Sequence, residues 1–209
     1  MIAVVDYGVG NLRSAAKAIE RAAAELGSPI EVRVTGELAA IDAADAVVLP
    51  GVGAFGACMQ SLDRAGLTGP IRRAIAGGKP FLGICVGMQL LFEESEEFGP
   101  VRGLGILGGK IVRFGRSRDR KVPHMGWNTI RVARPTPVLD GIVDGTHVYF
   151  VHSYYPVPAD PSVVATTTPY GEEFASSVVR DNVFACQFHP EKSQRVGLKL
   201  LDNFVRTVR

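Results

Sequence analysis

An α/β fold with a mostly parallel sheet is what this sequence predicts, on three observations. Short apolar runs of strand length recur along the chain, beginning with Ile2 to Val5 and Ala46 to Leu49. Apolar residues return at helical spacing between them, and glycine-rich turns separate the two patterns. Strands that alternate with helices lie parallel, because each helix carries the chain back to the same end of the sheet. With 209 residues there is ample chain to bury a core, and 46% hydrophobic with 21% charged residues describes an ordinary globular protein. The formal net charge of +2 implies no special attraction to nucleic acid or to anionic membranes.

The first run, Ile2 to Val5, is uninterrupted, as expected of a strand covered on both faces. Asp6 to Asn11 reads as a turn. Leu12, Ala15, Ala16, Ile19, Ala22, Ala23 and Leu26 then follow a helical period until Gly27-Ser-Pro29 stops it. A strand, a glycine turn and a helix invite a dinucleotide reading, but Arg13 stands where the third glycine of G-x-G-x-x-G belongs. No acidic residue ends the second strand, Glu31 to Val34, to hold a ribose. The third strand, Ala46 to Leu49, runs into Pro50-Gly-Val-Gly53. The N–H groups of such a loop can point at an oxyanion, or the loop can simply lead into a helix. Helices are expected around Met59 to Leu67 and Ile71 to Ile75, closed by Gly77-Gly78, before a strand from Phe81 to Ile84.

From Phe98 to Val132 glycines crowd and β-branched residues alternate, which predicts a small β-rich subregion. Arg116 to Lys121 is a basic cluster, read as a solvated loop or a contact for an acidic partner surface. Pro123-His124-Met125-Gly126-Trp127-Asn128 holds the only tryptophan in what reads as a loop, suited either to an exposed interface anchor or to core packing of Trp127. His147 to Tyr155 is a strand that Pro156 and Pro158 should end. Val163 to Thr167 and Ser176 to Val179 read as a hairpin, Asn182 to Phe188 as a strand and Arg195 to Val208 as a last helix. With neither an internal repeat nor a linker, residues 1–209 are expected to form one domain.

Cysteine usage narrows the setting. Cys58, Cys85 and Cys186 are odd in number and widely spaced, which suggests neither a disulfide framework nor a metal site. Met1 to Asp6 lacks a basic, long apolar segment and reads as a strand and not a signal peptide, and no run approaches the ~20 residues of a membrane span. A reducing, cytoplasmic location is expected, with Cys58 and Cys186 as inert small hydrophobes.

Cys85 is different. The apolar run Phe81 to Ile84 ends on it, Gly83 and Gly87 bracket it, and Val86 onward reads as a helix with Leu90 and Leu91 turned inward. This is the strand-turn-helix pattern G-x-S-x-G with sulfur for the hydroxyl, where glycines relieve a sharp turn and the helix N-terminus favours a thiolate. His189 stands at a strand end, one residue before Pro190 and two before Glu191. Residues two apart in an extended segment share a side, so the carboxylate can orient the imidazole. Cys85, His189 and Glu191 thus form a possible nucleophile, base and orienter.

Gly83-Ile-Cys-Val-Gly-Met-Gln89 together with His189-Pro-Glu191 resembles the class I, triad-type glutamine amidotransferases. Four further stretches, Asp6 to Ser14, Pro123 to Asn128, Phe150 to Tyr154 and Glu191 to Ser193, resemble the branch whose members serve a (β/α)8-barrel cyclase in histidine biosynthesis. The resemblance runs nearly end to end. It implies a doubly wound sheet with helices on both faces, and L-glutamine hydrolysed through a γ-glutamyl thioester on Cys85. It also implies ammonia passed to the cyclase subunit in a heterodimer, without cofactor or metal. Oxyanion donors would come from Val86 and from Gly51 or Val52. Gly53, Gln89, Ser153 and Tyr154 would hold the substrate, and Pro123 to Asn128 would face the partner. The alternatives are a glutaminase serving another synthase, a cysteine peptidase or γ-glutamyl hydrolase, and a pseudo-amidotransferase that only binds a partner.

Overall fold

Two sheets account for the strands. The computed structural model describes residues 1–27, 29–115 and 121–208, so the basic cluster at Arg116 to Arg120 lies outside the described residues. Its first half alternates as expected: β1 (Ile2–Val5), α1 (Leu12–Glu25), β2 (Val32–Thr35), α2 (Leu38–Ala43), β3 (Ala46–Gly51), α3 (Phe55–Arg64), α4 (Thr68–Ala76) and β4 (Phe81–Cys85). A single helical turn, α5 (Val86–Gln89), leads to β5 (Phe92–Ser95), β6 (Val101–Arg102), β7 (Leu107–Arg113) and β8 (His124–Val132). The chain continues through β9 (Thr146–His152), β10 (Tyr154–Pro158), β11 (Val164–Pro169), β12 (Glu173–Arg180), β13 (Val183–Cys186) and α6 (Gln194–Arg206).

The larger sheet has nine strands in the order β2-β1-β3-β4-β13-β12-β11-β8-β9. Its first five strands are parallel and carry the doubly wound pattern; from β12 onward the pairings are antiparallel. The order reverses between β1 and β3, so right-handed crossovers put α1 on one face and α2 to α4 on the other. The contacts agree: α1 packs with α6, and α2 with α4. β1, β3, β4 and β13 are buried at every residue, which is why they read as unbroken apolar runs.

Four expectations change. The helix after Cys85 is one turn long, so its macrodipole is slight and the local backbone, not a long helix, sets the sulfur's surroundings. The strand expected from His147 to Tyr155 is two: it breaks at Ser153, and β10 leaves to join β7, β5 and β6 in the smaller sheet. Pro156 and Pro158 do not end it. They lie inside β10, an edge strand paired on one side only, where a missing N–H costs no ladder bond. Finally, Pro123 to Asn128 is not a loop beyond its first residue. It begins β8, and the strand alternation buries His124 while leaving Met125 and Trp127 62% and 47% exposed.

Candidate active site

The parallel register brings the chemistry together. Gly51 at the end of β3 is level with Cys85 at the end of β4, and Ile84 is level with Cys186 at the end of β13. The Pro50 to Gly53 loop, Cys85 and the segment after Cys186 therefore leave three neighbouring strands side by side, at the carboxyl ends where open sheets bind ligands.

Cys85 itself has φ 54° and ψ −113°, a region a non-glycine side chain adopts only when its surroundings impose it. Those surroundings are the two glycines. A Cβ on Gly87 would stand 1.8 Å from the Leu49 carbonyl oxygen, and one on Gly83 would stand 3.0 Å from the Ala185 Cβ. β4 and α5 can close on β3 and β13 only because both side chains are missing.

The histidine comes from the turn after β13. The His189 N–H donates to the Tyr149 carbonyl at 2.9 Å, tying the turn to β9. Pro190–Lys192 is a 3-10 turn, so the extended-strand argument for the His189–Glu191 pair is replaced by a tighter geometry with the same result: Nδ1 and Oε1 are 2.8 Å apart. Ser193 locks the turn, its hydroxyl donating to the His189 carbonyl at 2.7 Å and accepting from the Tyr149 N–H. Gly197 on α6 completes it, since a Cβ there would meet the Pro190 carbonyl oxygen at 1.8 Å. The imidazole is buried and its Nε2 has no protein hydrogen-bond partner among the described residues. Burial by itself would favour the neutral ring, but Cys85 and Glu191 beside it outweigh burial and raise its pKa to about 9.

These groups face a cavity of about 270 Å³ lined by Val52, Gly53, Cys85, Val86, Gln89, Glu97, Pro123, Val151, His152, Ser153, Tyr154, His189 and Lys192. Val52, Gly53, Val86, Gln89, Ser153 and Tyr154 are thus brought together with Cys85 and His189. Gly51 and Glu191 sit behind the lining: Gly51 is buried, and a Cβ on it would meet the Gly87 nitrogen at 2.7 Å. A larger cavity of about 720 Å³, between Val132 to Ile142 and α6, contains neither cysteine nor histidine.

Some expected contacts are already spent. Gln89 donates its amide nitrogen to the Tyr154 carbonyl at 3.0 Å and to Gln187 Oε1 at 2.9 Å, leaving its own oxygen as the remaining acceptor. The Ser153 carbonyl accepts from the Phe114 N–H at 3.1 Å. These groups brace the pocket wall.

The sequence reading missed three features. Glu97 is the one carboxylate on the lining among the described residues, and it accepts from the Phe55 N–H at 2.7 Å. Four glutamates crowd Glu93 to Glu97, and nothing in their order marks which one turns inward. The glycine loop is also held from beneath. Tyr7 Oη donates to the Pro50 carbonyl at 2.8 Å and Cys58 Sγ to the Val52 carbonyl at 3.3 Å, so Cys58 is more than a filler. Burial, first of all, pushes both the Tyr7 phenol and the Cys58 thiol up, which keeps both as neutral donors. The third is Gln187, whose amide nitrogen lies 3.6 Å from the Cys85 sulfur.

Fold and site together define an α/β enzyme whose central cavity holds a strained cysteine and a carboxylate-held histidine. Residues 4–208 match the family model described as glutamine amidotransferase class-I. The imidazole glycerol phosphate synthase subunit HisH of Syntrophotalea carbinolica is 54% identical over 209 residues, covering 98% of each chain. The HisH subunit of Aquifex aeolicus is also 54% identical, covering 97% of this chain and 95% of that one. A crystal structure of a glutamine amidotransferase matches with TM-score 0.74 and 21% identity over 100% of this chain and 99% of that chain. PurLQS from Thermotoga maritima follows at TM-score 0.72 and 20% identity, covering 100% of this chain and 98% of that one; both likenesses speak to the fold alone. The chain belongs to the class I glutamine amidotransferases and, within them, to the family of imidazole glycerol phosphate synthase HisH subunits.

Proposed function

We propose that the chain hydrolyses L-glutamine to glutamate and ammonia and hands the ammonia to a (β/α)8-barrel cyclase subunit in histidine biosynthesis. The observation that carries this reading is the cavity itself, with a strained cysteine facing a Glu191-held histidine in a space suited to one amino acid. Cys85 attacks the side-chain carboxamide carbon as a thiolate, paired with the His189 imidazolium. The oxyanion that forms is held by the Val86 N–H and by Val52 or its neighbour Gly51. As the C–N bond breaks, His189 passes its Nε2 proton to the departing ammonia and becomes neutral. It then takes a proton from the water that attacks the thioester, and Cys85 leaves as thiolate. Glu97 suits the substrate's α-ammonium group, and Gly53, Gln89, Ser153 and Tyr154 shape the wall around it.

The pH dependence follows from the raised His189 pKa. An imidazolium that persists to about pH 9 keeps the ion pair intact through neutral pH and loses it above. The expected kcat/KM profile is level around neutrality and falls as pH rises through about 9, since kcat/KM reports the free enzyme. Glu191→Gln removes a charge that raises this pKa, so its alkaline limb moves to lower pH and kcat falls. An unmoved limb counts against the pairing.

Released ammonia is protonated in water and lost as a nucleophile, so an unpartnered glutaminase wastes its substrate. We propose that Met125, Trp127 and the rest of Pro123 to Asn128 meet the cyclase, with Pro123 on the cavity linking that surface to the site. The glutaminase rate of the isolated chain should rise by at least ~10²-fold with the cyclase and its ligand, the worth of one oxyanion donor. A fully active lone chain overturns the gating. Residues 1–209 work in this reading as one domain, in a reducing, cytoplasmic setting that leaves Cys85 free. No helix among the described residues is long and apolar enough to cross a membrane.

A further inference from the structure

A chain of hydrogen bonds with a settled direction runs from β8 to the nucleophile. It begins at Asn128, whose Oδ1 accepts from the Thr129 N–H at 2.8 Å. That contact fixes the amide, so Nδ2 is the donor, reaching the Pro169 carbonyl at 2.9 Å and His124 Nε2 at 3.2 Å. His124 Nε2 therefore accepts, and its proton sits on Nδ1, 3.0 Å from His152 Nε2. His152 Nε2 accepts in turn, so His152 Nδ1 donates to the Tyr154 carbonyl at 2.8 Å.

The Tyr154 carbonyl can only accept, so it also fixes the next amide. Gln89 must present its nitrogen there, and its second N–H goes to Gln187 Oε1. Gln187 is then left with its nitrogen toward the Cys85 sulfur. Every orientation follows from two backbone anchors that have no choice, the Thr129 N–H and the Tyr154 carbonyl. Burial keeps both imidazoles neutral, His124 at about 4 and His152 at about 3, so the chain carries no charge near neutral pH. Gln89, His124 and His152 are buried, and Gln187 is fully so.

We propose that Gln187 is a positioning residue for the Cys85 sulfur, held in its donating orientation by the chain Asn128–His124–His152–Tyr154–Gln89. The inference rests on the proposed function only in taking Cys85 as the nucleophile. An N–H donor on sulfur favours its anionic form and fixes it on the side away from the lining, leaving His189 the other side. In a dry site such a donor is oriented before the reaction and needs no reorganisation during it. Gln187 does not line the cavity, so it acts through the sulfur and not on the substrate.

The test uses the full chain and iodoacetamide, with alkylation of Cys85 followed between about pH 4 and 9 by mass of its peptide, so that Cys58 and Cys186 do not interfere. Gln187→Met keeps length and loses the donor. In its folded fraction the acid limb of the Cys85 alkylation profile should move up by about one pH unit, and with the cyclase its kcat should fall by about tenfold while KM stays within about twofold. A purely structural role would lower the melting temperature and leave the limb of the folded molecules in place. Should Gln187→Met not fold, Gln89→Met is read instead, since it frees the Gln187 amide to turn and should move the limb up by about half a unit. A limb within about 0.3 unit of the parent chain's in whichever variant is read overturns the proposal. Alkylation needs no glutamine, so it decides the role of Gln187, while glutamine turnover by the parent complex decides the proposed function separately.

Discussion

Cys85→Ala is expected to remove glutamine-dependent synthesis by the complex, by ~10⁴-fold or more, and to leave synthesis from added ammonium at the parent rate. The magnitude follows from what is lost. Triad-type enzymes lose roughly 10⁴–10⁶ in rate when the nucleophile goes, because the remaining groups then have nothing to act on. Here they would be a His189–Glu191 pair and a set of backbone donors around an alanine methyl. The fold should tolerate the change. Alanine adopts the φ of 54° no less readily than cysteine, and the deleted atom is a single sulfur at the edge of a cavity, hydrogen-bonded by Gln187. Initial rates of product formation, with glutamine and then with an ammonium salt, separate the two activities. Loss of both would sink the division of labour between this chain and the cyclase. A surviving glutamine-dependent rate would mean that a different group attacks.

The residues in that experiment were legible in the sequence because each is bracketed by residues that dictate backbone. Gly83 and Gly87 announce a close approach on either side of Cys85, and Pro190 announces that the strand before His189 cannot continue. The partners that orient them were not legible, since they are brought in by sheet pairing. Gln187 lies 102 residues from Cys85, and Gln89 lies 65 from the carbonyl that fixes it. No local pattern separates such an amide from one in solvent. Glu97 was hidden for a related reason: three of the four neighbouring glutamates, Glu93, Glu96 and Glu97, accept backbone N–H groups, and only the hairpin's placement turns one of them to the cavity.

Fold class was readable from the unbroken runs of β1, β3 and β4, whereas the misread strands turn on position within a sheet. Pro156 and Pro158 look like terminators until β10 is seen to be an edge. Pro123 to Asn128 looks like a loop because a histidine, a methionine and a tryptophan show no clean alternation of polar and apolar. The alternation is there in exposure, His124 in, Met125 out, because a buried imidazole stacked between Phe150 and Tyr170 behaves as an aromatic core residue.

Of three single-methyl changes around Cys85, Gly87→Ala is expected to be the most destabilising, by more than ~4 kcal/mol, a size reserved for clashes that cannot relax. Its Cβ would overlap the Leu49 carbonyl oxygen at 1.8 Å and the Leu49 carbonyl carbon at 2.8 Å. Leu49 cannot retreat, because β3 is pinned between β1 and β4 and is buried throughout. Gly83→Ala meets the Ala185 Cβ, the Gly87 carbonyl and the Met88 nitrogen at 3.0–3.1 Å, which a shift of a few tenths of an ångström relieves, so it should cost about 1–3 kcal/mol. Gly53→Ala has nothing within 4 Å and carries only the strain of φ 93°, about 1–2 kcal/mol. Urea unfolding of the three variants should give that order. Since domains of this kind hold roughly 5–15 kcal/mol in reserve, Gly87→Ala is also the variant expected to yield little folded protein. Equal midpoints for Gly87→Ala and the parent would mean that β3 and α5 are not in close contact. The strained backbone of Cys85 would then lose the packing that imposes it, and with it the reason for a glycine on each side of the sulfur.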